Sequence, residues 1–179
     1  MNYIDILGRF FPDVEVWCEG DPTVLADIQV QEGSPPLPTQ AEFEAAYLKL
    51  RQEQMWLKIR AERDRRYYQG IYVVAEDGNS YWFWTDIDTR GKYSMYDIAI
   101  RNNNLPQEFV LDNWKTMSGV FTPMTVRLLY RVINAAINNE KVIFNRGESK
   151  NAEMMALSDP ESYDPLVGWP ECYSDTVTN

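Results

Sequence analysis

The chain has 179 residues, of which 45% are hydrophobic and 25% are charged, and its formal net charge is −10. An acidic chain repels phosphate backbones, which argues against nucleic-acid binding as the main role. It has no histidine and only two distant cysteines, Cys18 and Cys172, so it lacks the commonest general base and any local zinc motif. We expect reduced thiols, no metal and no cofactor.

The N-terminal sequence lacks the charged-then-apolar pattern of a signal peptide. No run approaches the roughly 18 apolar residues of a membrane span. We therefore expect a soluble protein, made in the cytoplasm, with no membrane partner.

The first 36 residues predict a small N-terminal α/β unit. An apolar stripe at helical spacing over 2–11 ends before Pro12, and short strands are expected near 14–18 and 25–30. The proline-rich segment 33–38 favours an extended linker after this unit.

A long helix is expected from Thr39 to Gln69, because Thr39 and Glu42 have the spacing of a capping box. Its apolar residues alternate spacings of four and three, close to a heptad pattern. They include Phe43, Tyr47, Leu50 and Leu57. We favour packing of this stripe on the chain's own domain, and keep self-association through the 39–69 helix as the alternative.

A β-hairpin is predicted over 71–85, with Asp77-Gly78 as the turn pair. This pairing places Val73 opposite Trp82 and Ile71 opposite Trp84. Both faces of the hairpin are then apolar, whereas a sheet with one wet face alternates with polar residues. Either helices cover both faces, or one face meets a partner.

The remaining elements complete an α+β fold. A helix is expected from Thr85 to Asn102, with Met95, Ile98 and Ala99 along one side. A second hairpin turns at Ser118-Gly119, and Thr122-Pro123 starts a further helix. We expect Gly147 to end that helix and a short one to follow over 152–157.

We predict four segments in chain order. They are the N-terminal unit (1–36), the linker and long helix (37–69), an α+β core domain (70–157) and an extended C-terminal tail (158–179). In the core domain, the two β-hairpins form a small antiparallel sheet packed with helices.

Two sequence features bear on chemistry. Asp86, Asp88 and Asp97 have part of the spacing of a calcium-binding loop, but Arg90 occupies a position that supplies a calcium ligand in such loops. We therefore assign the acidic residues to a helix N-terminus. The aromatic residues are mainly expected in the core, although interfaces also favour Tyr and Trp. A sugar platform is a third interpretation.

Four stretches carry a family resemblance: Ile59–Arg66, Tyr81–Arg90, Trp114–Phe121 and Val167–Pro170. Their order resembles the tailed-phage family of the domain of unknown function 4376, whose members include tail fibre assembly and minor tail proteins. The similarity covers about Lys58 to Pro170, and the Trp-Lys-Thr-x-x-Gly stretch is its most specific part. Separately, residues 2–46 look like the leader segment of small tail-operon proteins.

The resemblance implies a non-enzymatic protein associated with the phage tail fibre, and it supplies no catalytic residue. We expect an assembly chaperone in the host cytoplasm, or alternatively a structural virion component. Its partner would be the tail fibre or another tail protein. We expect the partner to contact Trp82, Trp84, Tyr67, Tyr68 and the helix stripe at Phe43, Tyr47, Leu50 and Leu57. We also expect Trp82 and Trp84 on opposite strand faces, with one as anchor and the other in the core.

Overall fold

The computed structural model describes residues 1–177, which form the predicted α+β fold. The helices are α1 (Tyr3–Phe10), α2 (Gln40–Tyr67), α3 (Ile87–Arg101), α4 (Val126–Met155) and α5 (Tyr173–Val177). The strands are β1 (Val16–Cys18), β2 (Ile28–Val30), β3 (Ile71–Val74), β4 (Ser80–Phe83), β5 (Val110–Lys115) and β6 (Phe121–Thr125). Each successive pair forms its own antiparallel two-stranded sheet. Across residues 1–177, no helix is both long and apolar enough to cross a membrane.

The chain divides into two compact units. Unit 1 comprises Met1–Lys58 and Ala152–Asp164, and unit 2 comprises Ile59–Asn151 and the residues from Pro165 on. Helices α2 and α4 each contribute residues to both units. The four-segment division expected from the sequence stays a prediction.

Unit 1 has a small core around α1 and the first turns of α2. Its fully enclosed side chains are Ile6, Leu7 and Phe43. The capping box is confirmed, since the Thr39 N–H donates to Glu42 Oε2 at 2.7 Å and the Glu42 N–H donates to Thr39 Oγ1 at 3.3 Å. The second strand is shorter than expected because Leu25–Asp27 forms a 3-10 turn before Ile28.

The buried face of α2 departs from the heptad pattern along the helix. Its buried residues are Phe43, Ala46, Met55, Ile59, Glu62 and Arg66. Leu57 is 55% exposed, so this part of the predicted stripe faces outward. An α-helix has 3.6 residues per turn, so a 3.5-residue stripe drifts around the helix by about 20° per heptad.

The hairpin β3–β4 has a different register from the one predicted. Val73 pairs with Tyr81, and Ile71 pairs with Phe83. The cause is a three-residue loop in place of a two-residue turn, because the Ala75 N–H donates to Asn79 O at 2.8 Å. Gly78 takes a positive φ of 82° at the end of this loop, as such loops require. A shift of one residue changes which strand residues share a face.

Helix α3 is confirmed, and the side that carries Met95 and Ile98 is not the buried one. Met95 and Ile98 are both 57% exposed, whereas Tyr93 and Ile100 are buried in the core of unit 2. Asp86, rather than Thr85, caps the helix, because its Oδ1 accepts the Thr89 N–H at 2.9 Å. The apolar residues of α3 therefore form two stripes on opposite sides of the helix. The stripe with Tyr93 and Ile100 packs in the core, and the stripe with Met95 and Ile98 is exposed.

The second hairpin is confirmed, whereas the predicted start of the following helix is wrong. Thr122 and Pro123 belong to β6, and the helix begins only after Thr125, whose Oγ1 accepts the Leu128 N–H at 3.0 Å. Pro123 is tolerated in this strand because the ladder has a bulge between Leu111 and Trp114. A residue at a bulge needs no N–H for the ladder.

Helix α4 runs through Gly147 without a break, contrary to expectation, and its last turn takes in residues 152–155 of the segment predicted as a separate helix over 152–157. A Cβ at position 147 would meet the Arg63 side chain at 3.2 Å and the Trp169 ring at 3.6 Å. The absence of a side chain at Gly147 therefore allows Arg63 and Trp169 to pack closely against α4. Along α4, Leu128 and Val132 are buried, whereas Ile137 is 59% exposed.

Candidate functional site

The candidate site is the outer face of hairpin β3–β4, which we call the open face. It carries Tyr72, Val74, Trp82 and the following Trp84. Tyr72 is 60% exposed and Val74 is 52% exposed, while Trp82 lies half-buried at 5.3 Å from the Tyr72 ring. The first alternative, in which helices cover both faces of this hairpin, is therefore wrong, because one face remains accessible. Contact of that face with a partner stays a prediction.

The opposite face of the hairpin belongs to the core of unit 2. Phe83 is completely buried there with Ile71 and Val73. Neither Trp82 nor Trp84 is a core residue, because Trp82 is half-buried and Trp84, which follows the end of β4, is 40% exposed. The expectation that one of the two lies in the core is wrong, and Phe83 takes the core position.

A buried hydroxyl fixes the base of the hairpin to the end of α2. Thr85 is fully buried, and its Oγ1 accepts the Gly70 N–H and donates to Tyr67 O, each at 2.9 Å. Buried hydrogen bonds of this kind are costly to break. The open face is thus presented on a rigid support.

Tyr67 and Tyr68 lie together but line a different cleft. Their rings meet edge to face at 5.0 Å, and the Arg90 guanidinium lies 3.7 Å from the centre of the Tyr67 ring. Burial raises the pKa of the Tyr67 hydroxyl, and a hydrogen bond to Glu140 adds to this effect. This cleft of about 330 Å³ shares no lining residue with those beside Trp82 or Trp84. The four aromatic residues do not form one continuous platform.

Trp84 borders a cleft of about 510 Å³ with Trp114 and the first turn of α3. Burial opposes ionisation of Asp86 in this cleft, but the hydrogen bonds from the Thr89 N–H and hydroxyl hold its pKa below the usual range. The Asp86 carboxylate is therefore ionised and serves as the N-terminal cap of α3. Within residues 1–177, no three acidic or cysteine side chains gather as ligands for a metal ion.

The predicted contact residues in α2 differ widely in exposure. Phe43 is completely buried, with its ring 4.9 Å from Tyr3, so it serves the core of unit 1. Tyr47 and Leu50 are half-buried, and Leu57 is exposed. Of this stripe, only Leu57 presents most of its side chain outward, and its role in binding stays a prediction.

Sequence reasoning missed two residues at this site. Tyr72 is the most exposed aromatic of the open face, and Tyr173 lies edge-on to Trp82 at 6.0 Å. A three-residue loop ending in Gly78, in place of the two-residue turn, would have paired Tyr72 with Trp82 on one face of the hairpin. No local pattern links Tyr173 to Trp82, which are separated by about half the chain.

Comparison with known proteins identifies a family model that matches the chain. The family model described as Domain of unknown function (DUF4376) matches residues 50–166, in agreement with the region expected from the sequence. No curated protein and no solved structure matches the chain. The matched region is well over half of the chain and contains the whole open face. The protein therefore belongs to the DUF4376 family.

Proposed function

We propose that the chain is a non-enzymatic protein that binds a phage tail fibre or spike in the host cytoplasm and assists its folding or trimerisation. The open face carries this proposal. A rigid hairpin that exposes Tyr72, Val74 and Trp84 has the amphipathic aromatic surface that protein interfaces favour. The tail fibre as partner rests on the resemblance of the sequence to tail-fibre-associated proteins.

The test is co-expression with a candidate tail fibre from the same genome. We expect the chain to raise the yield of soluble, trimeric fibre and to co-purify with it. Trp84→Ala should reduce the binding free energy for the fibre by about 2 kcal/mol or more, which is roughly a 30-fold loss of affinity, and should therefore reduce co-purification.

Trp17→Ala is the matched control, because Trp17 is 48% exposed in unit 1 and lies outside the open face. Both variants are compared at a temperature where melting curves show them folded. Equal fibre yield and oligomeric state with and without the chain would refute the chaperone role.

A structural virion component is the second candidate. It is favoured by exposed apolar side chains in both units, such as Trp17 in unit 1 and Phe121 and Phe144 in unit 2. A subunit with several permanent neighbours needs several such surfaces. Mass spectrometry of purified particles separates the two roles, since stoichiometric presence supports the virion component and absence supports the chaperone.

A further inference from the structure

The chain's own C-terminal segment lies against the open face. Helix α5 begins at Tyr173, whose N–H donates to Gln69 O at 3.0 Å and whose ring contacts Trp82 edge to face. All of these residues belong to unit 2. The segment 170–177 therefore covers the side of Trp82 and leaves Tyr72 and Val74 exposed.

A charged anchor holds this segment on the end of α2. Arg66 is 8% exposed and donates to Glu62 Oε1 at 2.6 Å and to Asp175 Oδ2 at 2.8 Å. Arg65 donates to Ser174 Oγ at 2.7 Å. Charge-assisted bonds of this kind are about twice as strong as neutral ones. The end of α2 thus binds the Asp175 carboxylate, which lies two positions after the aromatic residue Tyr173.

Apolar burial and helix formation contribute little to holding the segment in place. Cys172 is its one buried residue within 170–177, and Val177 is 60% exposed. Helix α5 has five residues, far below the length at which an isolated helix is stable. Docking of the segment therefore depends on Cys172, Tyr173 and the polar contacts of Arg65 and Arg66, whose side chains donate to Ser174, to Asp175 and to the Pro170 carbonyl.

The segment leaves part of the neighbouring surface unfilled. A cavity of about 230 Å³ lies beside Glu171, between Trp82 of the open face and helix α4. Its lining combines Tyr72, Trp82 and Ala135 with the polar residues Asn139 and Glu171. A ligand that placed an apolar side chain here would bury surface that the chain's own segment does not.

We propose that this surface is a docking site for a short segment of a partner protein. The segment carries an apolar residue for the cavity, an aromatic residue for Trp82 and, two positions later, a carboxylate for Arg66. The chain's own residues 170–177 occupy the site until the partner displaces them. This inference deepens the proposed function, since it specifies what the open face binds.

Self-occupancy sets a threshold for the partner. A tethered segment competes at an effective concentration of the order of millimolar. A partner segment that makes only the same contacts is therefore excluded at micromolar concentration. A partner segment that also fills the cavity buries additional apolar surface, and this added binding free energy allows it to displace residues 170–177.

The probe is a fluorescent synthetic peptide of residues 170–177, titrated under reducing conditions into the full chain and into full-length Asp175→Asn. We expect at least tenfold tighter binding to the variant than to the wild type. The same peptide with Asp175→Asn should bind neither protein. Asp112→Asn removes an exposed carboxylate on β5 and should behave as wild type.

Hydrogen exchange supplies the second readout, with faster exchange expected across 170–177 in Asp175→Asn and unchanged exchange in Asp112→Asn. Equal peptide binding to the wild type and Asp175→Asn, or no binding to the variant at millimolar peptide, would overturn the proposal. No phage component enters this assay. A failure of fibre co-purification alone therefore counts against the proposed function and leaves the docking site standing.

Discussion

The orientation of hairpin β3–β4 can be tested by comparing a buried and an open-face aromatic residue. Phe83 is completely buried, so Phe83→Ala should lower the free energy of unfolding by about 3–5 kcal/mol through lost burial and a residual cavity. Tyr72 is 60% exposed, and two fifths of the roughly 3 kcal/mol for full aromatic burial gives about 1 kcal/mol for Tyr72→Ala. Urea denaturation measures both values. An equal loss for the two variants would refute the assignment of faces.

The strand register can be measured in the same assay with double-mutant cycles. Val73 and Tyr81 are directly paired, so their coupling energy should be about 0.5–1 kcal/mol. Val73 and Trp82 would be paired only with a two-residue turn, and their coupling should be near zero. The reverse result would favour the two-residue turn and contradict the observed loop.

Three further predictions concern single residues. Gly119→Ala should cost about 1–2 kcal/mol of stability in thermal unfolding, because φ is +84° at the hairpin turn and a Cβ is strained there. Thr125→Ala should cost about 1 kcal/mol by removing the cap of α4, and Thr125→Ser should recover most of it. Burial raises the pKa of the Asp175 carboxyl, but hydrogen bonds from Cys172 and Arg66 outweigh it and lower the pKa overall. The stabilisation by Asp175 should thus be complete above pH about 4 and vanish as pH falls through the lowered pKa, so that wild type and Asp175→Asn converge in acid unfolding curves.

The elements with strong local signals were predictable from the sequence. Thr39 and Glu42 marked the start of α2, and Gly78 and Gly119 marked the two hairpins, because capping and positive φ are decided by neighbouring residues. The register of β3–β4 was not predictable in the same way. The Asp77-Gly78 pair suits both a two-residue and a three-residue loop, and only packing of Phe83 in the core distinguishes them.

Burial of the helices was harder to predict than their existence. Helix α3 offers Met95 and Ile98 on one side and Tyr93 and Ile100 on the other, and sequence alone does not say which side meets the core. Similarly, Gly147 is a helix breaker by propensity but a packing residue in the fold. The candidate site was predictable as far as Trp82 and Trp84, while its C-terminal cover depends on contacts between distant parts of the chain.

The separation between Arg66 and Asp175, which are 109 residues apart, bears on the order of events during synthesis. Glu62 and Arg66 are one helical turn apart, so they need only α2 to form before they pair, whereas Asp175 becomes available only after nearly all of the described chain has been synthesised. Closing so long a loop makes this contact a late step of folding. Until then, Trp82 and the outer edge of the Arg66 guanidinium are uncovered on an otherwise completed hairpin. A partner that is translated beside this chain would meet the docking site before it is occupied, and would need no displacement to bind.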